Sequence, residues 1–268
     1  MPDVYHRITE ADETIVEQLA AAMELRATEP AQQAMLAAYL DDAGLPDGAR
    51  ILEIGCGTGA ISRALATRPG VAEVVGVDPS PGLIARAERL AADHANVSYR
   101  RGDGRRLPVE PGEFDAVVLH TVLSHAPEPA VMLAEARRSL RPDGPIAIFD
   151  GDYSTMTVAI GPHDPLQMCA EAFRDAYVHD PWIVRRLPSM LAEAGFEQIR
   201  LRSHGYTQTS DANYMLSVID RGAAALAGAG RVSEALVEAL KAEARDRVQS
   251  GSFFGHIAYA SLIARKAS

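Results

Sequence analysis

Glu53 stands two residues ahead of three alternating glycines, in the segment Glu53-Ile-Gly-Cys-Gly-Thr-Gly-Ala60. Gly55, Gly57 and Gly59 let the backbone turn sharply and let a ligand approach without a Cβ in the way. Cys56 lies inside the same turn, where a small side chain fits. An apolar run, Arg50-Ile51-Leu52, leads into the turn, and Ala60-Ile61-Ser62-Arg63-Ala64-Leu65 leaves it with helical periodicity. A helix starting there points unpaired N–H groups and the positive end of its dipole at whatever the turn holds. The dinucleotide fingerprint is formally met by Gly55, Gly57 and Ala60. Glu53 opposes it, because a carboxylate repels a pyrophosphate and attracts an ammonium or a sulfonium.

A second acid follows at a telling interval. Asp78 ends the apolar run Val74-Val75-Gly76-Val77, roughly 20 residues past the glycines, where a carboxylate can grip ribose hydroxyls. Ser80 is free to cap the helix that begins after Pro79 near Pro81, which leaves Asp78 to the ribose. Further on, Val97-Ser98-Tyr99-Arg100 leads to Gly102-Asp103-Gly104.

Candidate acid–base groups cluster after the next two apolar runs. His120 and Thr121 follow Phe114-Asp115-Ala116-Val117-Val118-Leu119, and His125 sits in the loop beyond. Asp150, Asp152 and Tyr153 follow Pro145-Ile146-Ala147-Ile148-Phe149. An unperturbed histidine titrates near neutrality, which suits removal of a phenol or hydroxyl proton. His120, His125 and Asp150 are therefore the catalytic candidates. A divalent metal would need carboxylates after both runs, and the first ends in His120, so no metal site is expected.

The elements that must position these groups alternate. Residues 13–27 and 30–42 have helical pattern, with Pro30 suited to open the second helix. From residue 48 to residue 150, β and α segments alternate, which predicts a doubly wound parallel sheet. The fifth strand is expected over 145–150, then a loop and a helix over 167–178. A helix over 188–194 should stop at Gly195, before a strand over 196–204. Two amphipathic helices over 211–249 and a last strand over 256–265 complete the chain.

The ordered set of Glu53 with the glycine turn, Val77-Asp78-Pro79-Ser80, Gly102-Asp103, Phe114-Asp115-Ala116-Val117-Val118 and Leu140-Arg141-Pro142-Asp143-Gly144 resembles the class I S-adenosylmethionine (SAM)-dependent methyltransferases. The likeness covers about residues 48–150 and is closest to the small-molecule branch, which includes quinone-biosynthesis and natural-product enzymes. It implies a Rossmann-like sheet of seven strands with an antiparallel last strand, and S-adenosyl-L-homocysteine as the product left after methyl transfer. It also implies that Glu53, Gly55, Cys56, Gly57, Gly59, Asp78, Pro79, Asp103, Gly104, His120 and Thr121 hold the cofactor. His120, just after strand 4, then stands between cofactor and acceptor, as a base or as a wall. The alternative is a methyltransferase-like protein that binds SAM without transferring a methyl, as a cyclase or regulatory module.

The segments 1–42, 151–185 and 207–255 all attach where the strands end. They are expected to fold within the same domain as a helical lid, with Tyr5, Tyr153, Trp182 and Phe254 as lining and an enclosed pocket for a small molecule. His163, Arg185, His256 and Tyr259 come from the same additions, which could instead form the interface of a homodimer. The 268-residue chain carries a formal net charge of −10, which argues against a nucleic-acid partner. Its two cysteines form no disulfide framework, and no spanning apolar run or cationic leader is seen, so no membrane role and a cytoplasmic setting are expected.

Overall fold

A computed structural model describes residues 8, 9 and 12–267 of the chain. Helix α1, Glu13–Thr28, starts behind Asp12, whose Oδ1 accepts from the Ile15 N–H at 2.9 Å. Helix α2, Pro30–Ala43, has proline in its first turn and stops at Gly44 in the left-handed conformation. Then follow β1 (Ala49–Ile54), α3 (Ala60–Ala66), β2 (Val71–Asp78), α4 (Pro81–Leu90), β3 (Val97–Arg101), β4 (Ala116–His120), α5 (Pro129–Ser139) and β5 (Pro145–Thr157). The remainder comprises α6 (Gln167–Tyr177), α7 (Ile183–Glu193), β6 (Phe196–Gln208), α8 (Asn213–Gly228), α9 (Glu234–Ser250) and β7 (Gly255–Lys266).

Among the described residues the strands form one seven-stranded sheet in the order β3-β2-β1-β4-β5-β7-β6. Strands β1 to β5 pair in parallel, and β7 runs antiparallel between β5 and β6. Strand residues alternate between two cores because successive side chains leave opposite faces of a strand. Ile51, Val74, Val118 and Ala147 join one core with residues of α2, α6 and α8; Leu52, Val75, Val117 and Ile148 join the other with α5 and α7. Every residue of β4 is buried, as expected for a parallel strand covered on both sides.

Three elements are longer than the sequence pattern predicts. β5 continues past Asp150 to Thr157, where a loop was expected, because β7 offers a hydrogen-bonding edge along that stretch, Gly151 facing Tyr259 and Asp152 facing Ala258. β6 likewise continues to Gln208, with Tyr206 opposite Ile257. These extensions make an antiparallel arm beyond the parallel sheet, and α6 and α8 pack on it. α7 begins at Ile183 rather than 188 and carries Pro188 in its interior. The buried stripe of Ile183, Val184, Leu187 and Leu191 outweighs the one backbone hydrogen bond that Pro188 removes.

α6 and α8 cross at Gly222. A Cβ there would lie 1.9 Å from the Cys169 carbonyl oxygen, so backbone approaches backbone at that point. Gly222→Val should lower stability by roughly 1–3 kcal/mol through overpacking, more than the few tenths that valine gains over glycine in helix propensity. Urea denaturation checks this; an unchanged midpoint would contradict the close crossing.

Candidate active site

The glycine turn is fixed by β2. Backbone N–H groups of Gly55 and Cys56 both donate to the Val77 carbonyl, at 2.8 and 3.1 Å. Gly55, Gly57 and Gly59 have φ of 73°, 54° and 74°, values that a side chain would strain. The turn is also closely packed: a Cβ on Gly57 would meet the sulfur of Met23, a residue of the roof helix α1, at 2.8 Å, and one on Gly59 the Tyr99 hydroxyl at 2.1 Å. Asp78 closes the turn from the end of β2, its Oδ2 accepting from the Gly57 N–H at 3.0 Å and its Oδ1 from the Ser80 N–H at 2.9 Å. Ser80, not Asp78, caps α4, through the Leu83 N–H at 3.3 Å.

Two carboxylates are thus buried at neighbouring strand ends. Glu53 is 1 % exposed and accepts from the Ser62 hydroxyl; Asp78 is 7 % exposed. Among the described residues no ion pair joins either one. Burial pushes Glu53 up to about 8, with the nearby Asp78 adding to the rise and the Ser62 hydrogen bond opposing it. Burial also pushes Asp78 up to about 6, against the Ser80 and Gly57 hydrogen bonds.

These acids line a cavity of about 710 Å³, a size that suits a cofactor and part of a second molecule. Gly55, Cys56, Gly57, Pro79, Asp103, Gly104, His120 and Thr121 share its wall with Glu53 and Asp78. Gly59 does not; it shapes the turn that starts α3. The Cys56 thiol is raised well above its usual range by burial, with Asp78 and Glu53 adding to the rise, so it stays protonated as a small wall group. Asp103 lies at the exposed mouth, where its bond to the Arg105 guanidinium at 2.7 Å holds its carboxyl below the usual range. Arg105 also reaches Glu128 at 2.8 Å.

The roof comes from the N-terminal helices. Arg63 of α3 binds Glu24 of α1 at 2.7 Å, and Arg26 of α1 donates to the Thr121 hydroxyl at 2.6 Å. Val16, Leu19 and Ala20 pack with Ile8 and Leu83 in a small separate core. Two groups missed by sequence reasoning face this cavity with unspent capacity. The Thr58 hydroxyl and both amide atoms of Gln32 are buried without a hydrogen-bond partner among the described residues, and both residues line the cavity. A buried unpaired polar group costs about 1–3 kcal/mol. Neither Gln32 nor Arg26 belongs to a recognisable motif; only the helical pattern around Pro30 marked the region.

The histidines occupy different environments. His120 is 8 % exposed, stacked on Phe149 at 4.8 Å, and shares a hydrogen bond with the Tyr39 hydroxyl at 3.0 Å through Nδ1. Burial first, then the Arg26 charge, holds its pKa well below the usual range, so the ring is neutral. Thr121 next to it has φ of 51°, a strained value for a β-branched residue. Its N–H donates to the Phe149 carbonyl at 2.6 Å, and Arg26 binds its hydroxyl. His125 ends a short 3₁₀ turn, Leu123–His125, and faces the cavity from the other side of Thr121.

Asp150 is placed differently from the catalytic role expected of it. It is fully buried and is in the wall of neither the main cavity nor the small hollow beside His125; its carboxylate accepts from the N–H groups of Ser124 at 3.0 Å and Gly151 at 2.8 Å. It holds the loop that carries His125. Asp152 is spent on Arg185 at 2.8 Å. Among the described residues no group of three or more His, Cys, Asp or Glu is arranged to hold a metal ion.

The expected aromatic lining divides as well. Tyr153 faces a second, small hollow beside His125. Trp182 is half exposed beneath the Arg185 guanidinium, and Phe254 stacks on His256, whose Nδ1 meets the Thr207 hydroxyl at 3.0 Å. Tyr259 is buried against Phe149, and His163 is exposed in a loop. Tyr5 lies outside the described residues. The antiparallel arm sets Trp182 and Phe254 away from both cavities.

Two measurements check this site. Asp78→Ala should weaken binding of S-adenosylhomocysteine by roughly 1.5–3 kcal/mol in calorimetry, since a charge-assisted hydrogen bond is lost. Unchanged affinity would remove Asp78 from the site. The ligand-free protein should also lose stability as pH rises. A carboxyl whose folded pKa is raised binds its proton more tightly when folded, so folding is favoured at low pH. For Glu53 that advantage is withdrawn between 4.5 and about 8, and for Asp78 between 3.8 and about 6. Glu53→Gln should flatten the decline above pH 6 in thermal melts, and an equal decline in both proteins would contradict the assignment.

The match to known proteins agrees with this geometry. Residues 52–148 match the model of the methyltransferase domain family. An uncharacterised 37.1 kDa protein in transposon TN4556 of Streptomyces fradiae is 30 % identical over 171 residues, which span 63 % of this chain and 50 % of that protein. The chain thus matches half the length of that relative. Demethylmenaquinone methyltransferase of Staphylococcus aureus is 28 % identical over 179 residues, 61 % of this chain and 74 % of that enzyme. In fold, the chain is similar to a candidate methyltransferase from Bacillus halodurans C-125, with a TM-score of 0.63 and 23 % identity over 87 % of this chain and 99 % of that one. No described helix is long and apolar enough to cross a membrane. With its ordered motifs, its sheet order and its buried acids around the glycine turn, the chain resembles the class I SAM-dependent methyltransferases, and its residues 52–148 match their methyltransferase domain.

Proposed function

We propose that the chain transfers a methyl group from SAM to a small molecule. The observation that carries this reading is the pair of buried carboxylates, Glu53 and Asp78, on the wall of one cavity with no cationic partner of their own. An ammonium and a ribose are the groups that would satisfy them. The amino acid end would lie against the 55–59 turn, within reach of the orphaned Thr58 and Gln32 groups, the ribose on Asp78 and the adenine beside Asp103.

SAM brings the activation, as a methyl on a positively charged sulfur. What remains for the chain is to align a nucleophile behind that methyl and keep water out. The nucleophile's electron pair forms the new bond to carbon. The pair of the broken S–C bond returns to sulfur, leaving S-adenosylhomocysteine, and any proton on the nucleophile departs. His120 is a poor acceptor for that proton, because its pKa is held so low. It serves instead as a neutral wall at the end of β4, fixed by Tyr39 and Phe149. His125 and Arg26 face the acceptor side. The relative in Staphylococcus aureus is named for demethylmenaquinone as its acceptor, and the roofed cavity supports a small acceptor here.

Helices α1 and α2 are the part of the lid that covers the cofactor, while the 151–195 and 207–255 additions serve the acceptor side. α1 is held by the small core around Val16 and Leu19 and by a few polar clasps, so it can open at low cost. Hydrogen exchange over residues 13–43 should slow markedly when S-adenosylhomocysteine is added; equal protection with and without it would show a fixed scaffold.

Incubation with SAM and a panel of phenols, amines and quinone precursors should yield a product heavier by one methyl, with activity unchanged in excess chelator. A product of unchanged mass would favour the cyclase or binding-module reading. Activity that chelator abolishes and magnesium restores would overturn metal independence.

A further inference from the structure

Beside the main cavity lies a second hollow of about 30 Å³, room for roughly one water molecule. Met23, Arg26 and His125 belong to the walls of both, so these three side chains form the partition between them. The partition is built from adaptable parts: a thioether and a long guanidinium chain from α1, the helix that roofs the cofactor.

The far wall is aromatic and cationic. Phe173 and Tyr177 of α6 stack at 5.1 Å, and the Arg221 guanidinium of α8 lies 4.5 Å from the centre of the first ring and 5.5 Å from the second. Arg221 Nε donates to the Ser217 carbonyl at 3.1 Å, which holds the planar group in place. Among the described residues no carboxylate pairs with Arg221, and no Asp or Glu lines the hollow. Tyr153 and Tyr214 add ring edges and hydroxyls.

We infer that the acceptor site forms where displacement of Met23 opens this hollow into the main cavity, and that it takes a planar acceptor bearing an anionic group, with the ring in the space Met23 leaves beside Tyr153 and the anion on Arg221. The inference rests on the methyltransferase reading and names its substrate class. Rings and a preorganised guanidinium, with no acid to neutralise it, are the wall that a flat carboxylate-bearing molecule would select. Displacing Met23 from the partition would join the two hollows and bring such an acceptor to the cofactor cavity.

The test uses 4-hydroxybenzoate and its neutral amide as probes, titrated by calorimetry into the full chain saturated with S-adenosylhomocysteine. The acid should bind at least tenfold more tightly than the amide. Arg221→Gln should erase that preference while S-adenosylhomocysteine affinity stays within twofold. Tyr153→Leu, which keeps apolar bulk, should weaken both probes alike, and it secures the test if the arginine variant folds poorly. Equal binding of acid and amide, no binding of either at millimolar concentration, or a preference that survives Arg221→Gln would overturn the inference. Failure of S-adenosylhomocysteine itself to bind would instead strike the cofactor assignment on which the inference stands.

Discussion

The site depends on two acids that the fold buries without an ion-pair partner among the described residues, Arg63 acting on Glu53 only at longer range. Glu53 lies one residue from the end of β1, before the turn that Asp78 ties down from the neighbouring strand. Removing a carboxylate from water costs several kcal/mol unless partners replace the lost hydration. Two backbone N–H groups and one serine hydroxyl replace part of it. The remainder shows as a raised proton affinity, Glu53 near 8 and Asp78 near 6. A ligand carrying a cation and hydroxyl donors supplies what the protein leaves out. The glycine turn serves the same constraint, since the Gly57 N–H reaches Asp78 from a backbone at positive φ at Gly55, Gly57 and Gly59.

The rest of the molecule holds these acids at one edge and covers them. Parallel strands bring the ends of β1, β2 and β4 side by side. Two buried cores, one on each face, fix the sheet so that its ends can carry strain such as that at Thr121. The cover is far less secure than the floor. α1 contributes a handful of buried side chains and is clasped by Glu24–Arg63 and Arg26–Thr121. That contrast suits a site whose floor must be preorganised and whose roof must let molecules in and out.

Much of the floor was legible in the sequence because its chemistry is local. Glu53, the glycines and Asp78 lie within one strand–turn–helix–strand passage, and their spacing alone specifies a turn between two acids. The roof groups were not legible. Gln32 and Arg26 acquire meaning only when α1 and α2 fold over residues far along the chain, such as Thr121. Gly151 to Thr157 read as a loop because the pattern Gly-Asp-Tyr-Ser-Thr does not alternate, yet its partner strand lies about a hundred residues away and makes it sheet. Asp150 read as catalytic for its place after a strand; complete burial and two backbone hydrogen bonds give it the loop instead. Trp182 and Phe254 read as lining because they are aromatic, and the antiparallel arm directs them elsewhere.

Calorimetry of S-adenosylhomocysteine binding at pH 7, run in buffers of different ionisation enthalpy, tests the central claim most directly. At that pH the unliganded Glu53 carries a proton for most of the time and Asp78 for a small part of it. Binding that satisfies both as carboxylates must expel that charge, so the account predicts net proton release, with most of it lost in Glu53→Gln. Binding without proton release, or an equal release from the Glu53→Gln protein, would contradict the view that these buried acids hold the cofactor.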